Sequence, residues 1–159
     1  MKFIVSSSAL LKQLQQISGV ISNNTVLPIL ENFLFEIDKD KLTVTATDLE
    51  TVMKIHMEVK AKDSGRVCIP AKLLLDSLKN IAEQPLTFNI EKNFGIEITS
   101  DNGKYKLMGE NPDNFPKEPK ADDATSFKMS SGNLVSAINK TIFAVSSDDL
   151  RPAMTGVYF

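Results

Sequence analysis

Along the chain the hydrophobic residues switch between a spacing of two and a spacing of three to four, and each switch marks a new element. Phe3 to Val5 form a short strand. Leu10, Leu11, Leu14 and Ile17 then recur at helical spacing and leave Ser8, Lys12 and Gln15 on the opposite face, predicting a helix over residues 7 to 18. The serines at its start can accept hydrogen bonds from its free amides, and Gly19 ends it. Val20 to Pro28, with Asn23-Asn24 inside it, reads as an exposed loop. From Asn32 the period becomes two: Phe33, Phe35 and Ile37 lead through the polar turn Asp38-Lys39-Asp40-Lys41 into Leu42, Val44 and Ala46. A third strand then carries Met53, Ile55, Met57 and Val59 on one face, and Lys60 to Gly65 is a charged connector.

The same order then repeats. Ile69 to Ile81 lies without a gap on Val5 to Ile17 at an offset of 64, so the stretch VCIPAKLLLDSLKNI predicts a strand, a proline and a helix over residues 71 to 81 with Leu74, Leu75, Leu78 and Ile81 buried. Leu86, Phe88 and Ile90 match Phe33, Phe35 and Ile37 at an offset of 53, and Ile96 and Ile98 match Leu42 and Val44 at 54. Asp101-Asn102-Gly103 supplies the residues a tight hairpin prefers, and Tyr105 to Met108 form the last strand. A third copy of the opening begins at Met129, with an offset of 124 from the first and a helix over residues 131 to 142. A period near 60 exceeds the roughly 20 to 50 residues of common solenoid repeats, which points to duplicated half-domains.

Asn111 to Asp123 contains three prolines and no periodicity, and serves as a linker. The predicted organisation is therefore a complete domain over residues 1–122 and the opening of a second over 123–159. Gly156-Val157-Tyr158-Phe159 falls on Asn32-Phe33-Leu34-Phe35, so the chain is expected to stop inside a strand. Such an end would leave an edge unpaired, as expected of a fragment.

Composition is ordinary for a soluble globular chain: 159 residues, 42% hydrophobic and 24% charged, with a net charge of −2. No apolar run is long enough to span a membrane, and MKFIVSSS lacks the apolar core of a signal peptide, so a cytoplasmic location is expected. Cys68 is the only cysteine; flanked by Val67 and Ile69, it reads as a small buried hydrophobe. His56, with Lys54 and Glu58, falls on the solvent side of its strand. The sequence has no Gly-rich phosphate loop, nucleophile elbow or metal-ligand cluster, and Asp122-Asp123 and Asp148-Asp149 are solvated pairs. No cofactor is expected. Charge, however, is unevenly spread. The three predicted helices, with Lys12, Lys72, Asp76, Lys79 and Lys140, carry a net +3 and the rest of the chain −5. Duplicated units that place their helices on one side gather these lysines on a surface able to follow a phosphate backbone without reading sequence.

Several segments, in this order and spacing, resemble the bacterial sliding clamp family, the beta subunit of DNA polymerase III. They are MKF, LLKQLQQISG, Thr25 to Asn32, Thr45 to Glu50, Ile69-Pro70-Ala71-Lys72, Asn114-Phe115-Pro116 and Val145 to Val157. The resemblance implies an α+β DNA clamp fold, in which each domain has two strand-helix-three-strand halves with helices on one face of antiparallel sheets. It also implies a non-catalytic processivity factor: a homodimeric ring, in the full-length form, that encircles double-stranded DNA and meets DNA polymerase III and the clamp loader. By resemblance Lys12, Lys72, Lys79 and Asn24 face DNA. Tyr105 and Leu107 lie at the subunit interface, and Arg151 and Met154 belong to a partner-peptide groove found mostly in absent parts of the chain, so normal binding of clamp-binding peptides is not expected. Two positions depart from better-known members: Asn23-Asn24 lacks an arginine that some clamps place against DNA, and Asp148 is acidic where a neutral polar residue can stand. The alternative reading is a non-enzymatic α+β interaction module that binds a protein through an exposed strand edge; a small enzyme ranks third. Titration against duplex DNA and partner peptides separates the first two.

Overall fold

The computed structural model describes residues 1–21, 27–118, 126–148 and 150–159. The chain divides into two compact units, Met1–Glu118 and Pro119–Phe159.

In the first unit the order is β1 (Lys2–Ser6), α1 (Ser7–Ile17), β2 (Asn32–Asp38), β3 (Lys41–Thr47), β4 (Val52–Glu58), β5 (Lys60–Ala61), β6 (Gly65–Pro70), α2 (Ala71–Lys79), β7 (Pro85–Ile90), β8 (Gly95–Ser100) and β9 (Gly103–Met108). Strand, helix and three strands do occur twice, as the periodicities predict. The addition is β5, inside the stretch read as a connector. Helix α2 also ends two residues early, at Lys79, because the Asn80 backbone turns back onto Ser77 and Leu78. Leu74 and Leu78 are buried, while Leu75 and Ile81 are only partly so and pack against the core from its margin.

The two halves exchange their opening strands. β1 lies in a five-stranded sheet ordered β5-β1-β7-β8-β9, among the strands of the second half; β6 joins the first half in a four-stranded sheet ordered β4-β3-β2-β6. Both sheets are antiparallel, and the two exchanges share one register: Phe3 opposes Phe88 and Val5 opposes Leu86, just as Val67 opposes Phe35 and Ile69 opposes Phe33. Each helix bridges the two sheets. An 11-residue helix such as α1 is about 16 Å long, enough to carry the chain from one sheet to the other. α1 and α2 pack on each other, α1 also against β3 and β4 and α2 against β2, β6 and β9. Their apolar stripes, Leu10, Leu14 and Ile17 with Leu74 and Leu78, enter one core with Phe3, Phe33, Phe35, Val44, Val67, Ile69, Phe88 and Ile98. Each such side chain contributes about 1.5–3 kcal/mol by leaving water.

Polar groups fix where the loops attach. The Ser7 backbone N–H donates to the Gln84 carbonyl at 2.9 Å, its hydroxyl donates to the Ala82 carbonyl at 2.9 Å, and the Gln84 N–H donates back to that hydroxyl at 3.0 Å. The start of α1 is thereby tied to the connector after α2. Buried Asn32 donates through Nδ2 to the Ile29 carbonyl and to Glu110 Oε1, both at 3.2 Å, and so holds the Pro28–Glu31 turn against the strand-to-linker junction. After β3, Asp48 Oδ1 accepts from the Glu50 and Thr51 amides at 3.1 and 2.6 Å and closes a turn in which Leu49 has φ 83°.

The outer face of the four-stranded sheet carries a second, smaller cluster of Leu34, Cys68 and Phe115. Thr45, opposite Leu34, has a buried hydroxyl with no hydrogen-bond partner among the described residues. An orphaned buried hydroxyl costs about 1–3 kcal/mol. Thr45→Val is expected to raise stability by about 1 kcal/mol, read as a higher urea midpoint at unchanged m; a loss of stability would contradict it.

Cys68 is buried, as its neighbours predict. Burial first, then the nearby Glu110 charge, pushes its thiol up from 9.0 to about 12. The folded chain should therefore resist thiol reagents at pH 8 and react once unfolded. Because the pKa is raised by folding, the associated stability is complete below pH 9 and is lost between about pH 9 and about pH 12. Urea unfolding across that range should show a slope that is shallower in Cys68→Ala; equal slopes would contradict it.

In the second unit α3 spans Ser131–Thr141, with Ser130 as its N-cap, and is followed by a 3-10 turn at Ile142–Ala144. A second 3-10 turn covers Pro152–Met154. These bounds reproduce α1, the turn at Ser18–Val20 and the start of the turn at Pro28–Glu31 at the offset of 124. The expected strand at the end of the chain is not formed: residues 156–159 have no ladder. The counterpart β2 is a strand because β3 and β6 flank it, and among the described residues no strand pairs with residues 156–159.

Candidate nucleic-acid interface

The amphipathic spacing that buries Leu10, Leu14, Leu74 and Leu78 necessarily turns the lysines outward. Lys12 on α1 and Lys72 and Lys79 on α2 are all exposed. The packing of α1 against α2 places these lysines on adjacent helices of one layer. Among the described residues Lys12 and Lys72 have no ion-pair partner, whereas Lys79 Nζ lies 3.2 Å from Asp76 Oδ1. That pair is about half exposed on both sides, so it is worth little energetically, but it reduces the net charge that Lys79 presents. Leu73, 56% exposed on the same helix, is an apolar residue on this outward surface that the periodicity alone does not flag. Asn24 lies outside the described residues. Lys140, on α3 of the second unit, is also exposed.

One edge of the five-stranded sheet is β9, the other being the two-residue β5. Tyr105 and Leu107 are half-buried and lean on the core, while Lys104, Lys106 and Met108 point outward. The last residues of this strand oppose Ile96 and Gly95 on one side only, so their other backbone groups can accept a further strand.

In the second unit Arg151 and Met154 fall in one turn, with the Met154 N–H donating to the Arg151 carbonyl at 2.9 Å. Asp148, the acidic departure noted above, pairs with Arg151 at 3.1 Å and also accepts from the Leu150 amide. Met154 is exposed.

Among the described residues, groups of three or more His, Cys, Asp or Glu side chains placed to hold a metal ion are absent. His56 is exposed and shares a hydrogen bond with the Thr43 hydroxyl at 3.0 Å. It borders an open cleft of about 1010 Å³ between Ile4 and Pro85 on one side and Asp38, Lys41 and Glu58 on the other. No described helix is long and apolar enough to cross a membrane.

Comparison with known proteins gives the same picture of the fold. Residues 1–119 match the family model described as DNA polymerase III beta subunit, N-terminal domain. The beta sliding clamp of Chlamydia pneumoniae is 31% identical over 99% of this chain, which covers 43% of that protein. The crystal structure of the DNA polymerase III subunit beta from Pseudomonas aeruginosa superimposes with a TM-score of 0.89 at 26% identity, over 98% of this chain and 43% of that one. The beta subunit from the DNA polymerase of Streptococcus pyogenes reaches a TM-score of 0.91 at 19% identity over 99% of this chain and 43% of that one, a likeness of fold. The chain thus spans less than half the length of the relatives it matches. With its paired half-domains, its shared exchange register and the match over its first 119 residues, the chain belongs to the DNA polymerase III beta subunit family, the sliding clamps.

Proposed function

We propose that this chain supplies the first domain, and the opening of the second, of a non-catalytic clamp that encircles duplex DNA and tethers the replicative polymerase, with the clamp loader as a further partner, in the cytoplasm. The observation that carries the reading is the helix layer: Lys12 and Lys72, without an ion-pair partner among the described residues, on packed neighbouring helices of a sliding-clamp domain. Point charges on an exposed helix surface suit sliding, because they attract phosphates without hydrogen-bonding to base edges. Domain limits near residues 122 and 123, a DNA-facing role for Lys12, Lys72, Lys79 and Asn24, and a groove role for Arg151 and Met154 belong to the same proposal.

Tyr105 and Leu107 then lie where the free edge of β9 takes a strand of the neighbouring subunit. The exposed edge that an interaction-module reading assigns to a foreign protein is used here to close a homodimeric ring.

The test uses a protein of family length carrying these 159 residues. It should stay on circular duplex DNA and run off linear DNA with free ends; equal retention on both would overturn the reading. Lys72→Ala should flatten the salt dependence of duplex contact by about 0.9 in the log–log slope for a lost phosphate contact. Lys79→Ala should do less, since Asp76 already offsets its charge. Unchanged slopes in both variants would remove the helix lysines from the DNA path.

A further inference from the structure

The outer face of the four-stranded sheet carries two neighbouring rows of side chains in opposite surroundings. Cys68, Leu34, Thr45 and Lys54 stand side by side across β6, β2, β3 and β4, and Arg66, Glu36, Thr43 and His56 form the next row. The second row is exposed or half-exposed, whereas Cys68 is 0%, Leu34 9% and Thr45 5% exposed. The segment that follows β9 makes the difference. The Glu110 backbone exchanges hydrogen bonds with Cys68 at 2.9 and 3.1 Å, Phe115 packs on Leu34 and Cys68, and the Glu118 carboxylate pairs with Lys54. Residues 110–118 therefore run along the first row from β6 to β4, a distance of about 14 Å at ordinary strand spacing.

This strap is shaped locally and held thinly. Pro112 opens a 3-10 turn that Asn111 caps by accepting from the Asp113 amide at 3.0 Å, and Pro116 keeps the preceding Phe115 extended, at φ −72° and ψ 136°. A segment already in its docked shape loses little freedom on docking. Apart from the Glu110 contacts to Cys68 and Asn32, its hold is one phenyl ring and two ion pairs, Lys54–Glu118 and Arg66–Asp113, with all four side chains at least 35% exposed. Arg66 also has Glu36 at 4.0 Å, a partner on the sheet itself that remains when Asp113 leaves. Beneath the strap the Thr45 hydroxyl is buried with no partner among the described residues, and release returns it to water.

We propose that residues 110–118 form a latch that docks on this face and leaves it as one unit while both sheets stay folded. Docked, the chain departs from the first unit beside β4, at Glu118. Released, it departs beside β6, across the sheet, and residues 110–118 lengthen the connection that follows. Such a local opening breaks only the strap's own contacts and leaves the shared core intact. The device makes no use of the helix lysines and stands apart from DNA contact.

Native-state hydrogen exchange on the whole chain tests it, with alkylation of Cys68, slow in the parent, as a second readout. In the parent the Cys68 and Glu110 amides should exchange together and depend little on urea below the unfolding transition. Amides of β7 should instead follow global unfolding with its full urea slope. Phe115→Ala should speed exchange at both amides and alkylation of Cys68 by at least about tenfold. Thr45→Val should slow them about fivefold, because docking then strands no hydroxyl. Lys54→Glu should speed exchange at Glu110, on the opposite side of the sheet, about two- to threefold, and adding Glu118→Lys should restore it. Exchange at Cys68 and Glu110 that carries the full urea slope of β7 overturns the latch and makes the strap part of the cooperative core. Fast exchange at Glu110 that ignores Lys54→Glu overturns its motion as one unit. If Phe115→Ala fails to fold, the urea dependence of the parent and the response to Thr45→Val decide the matter.

Discussion

Phe88→Ala should destabilise the first unit by about 3–5 kcal/mol, the largest effect of a single side-chain truncation expected here. Phe88 is fully buried on β7 and stacks on Phe3 of β1, with ring planes 11° apart. Removing the ring opens a cavity at the junction where the first half's opening strand enters the second half's sheet. For a unit of this size the loss corresponds to a fall in Tm of roughly 12–20 °C. Phe35→Ala, the repeat counterpart, should cost somewhat less, because Phe35 faces Val67 rather than another ring; an aromatic pair adds about 0.5–1.5 kcal/mol beyond burial. A double-mutant cycle on Phe3→Leu and Phe88→Leu should recover a coupling of that size. Since each half holds a strand of the other, the unit should unfold in one transition. Two separate transitions, or a Phe88→Ala cost below 1 kcal/mol, would contradict the exchanged-strand account.

The second large effect is expected at Gly109, where the chain leaves β9 and passes over β6. A Cβ at this position would lie 2.7 Å from the Cys68 carbonyl oxygen, 2.9 Å from Val67 Cγ2 and 3.0 Å from Ile96 Cδ1. The carbonyl cannot easily yield, because it accepts from the Glu110 amide at 2.9 Å while the Cys68 amide donates to the Glu110 carbonyl at 3.1 Å. The Gly109 amide is itself committed to the Phe94 carbonyl. Gly109→Ala should therefore cost about 2–3 kcal/mol, at the upper end of overpacking penalties. Gly19→Ala, where an added Cβ meets nothing within 4 Å, is the control and should stay within about 0.5 kcal/mol of the parent. Chemical denaturation of the three chains measures both values; equal losses at the two glycines would refute the close-approach argument. Because Gly109 lies between β9 and Glu110, whose backbone pairs with Cys68 of β6, the substitution should also loosen β9, seen as faster amide exchange at Tyr105 and Leu107.

The hydrophobic register made the elements legible because burial is read out at the period of each element. Leu10, Leu14, Leu74 and Leu78 identify both helix faces, and Phe33, Phe35, Phe88 and Ile98 identify inward strand faces. The lysines on the opposite helix faces were legible for the same reason: a stripe that must be buried fixes which residues remain wet. Where an element had little hydrophobic signal, sequence reading failed. β5 is two residues long and charged at Lys60, and it exists because β1 presents an open edge. The tie between Ser7 and Gln84 joins residues 77 positions apart, and no local pattern announces that Gln84 will meet the start of α1. The ion pair that offsets Lys79 was foreshadowed by its spacing from Asp76 on one helix face, but the contact itself required the side-chain geometry.

By itself the sequence determined the duplicated halves, the inward and outward faces of their helices and strands, the burial of Cys68, and the family, since all of these are written in spacing, offset or local motif. Only the tertiary structure decided which strands pair. β1 and β6 carry the same pattern, and either could satisfy its backbone in the sheet of its own half. Each helix spans the distance between two sheets and delivers the following strand to the other one, so the opening strands are exchanged and a single core closes over both helices. The tertiary structure likewise separated the covered copies of the module from the uncovered one. Phe3 and Phe127 occupy the same place in the repeat, yet Phe3 is buried in the shared core opposite Phe88 whereas Phe127 is 67% exposed.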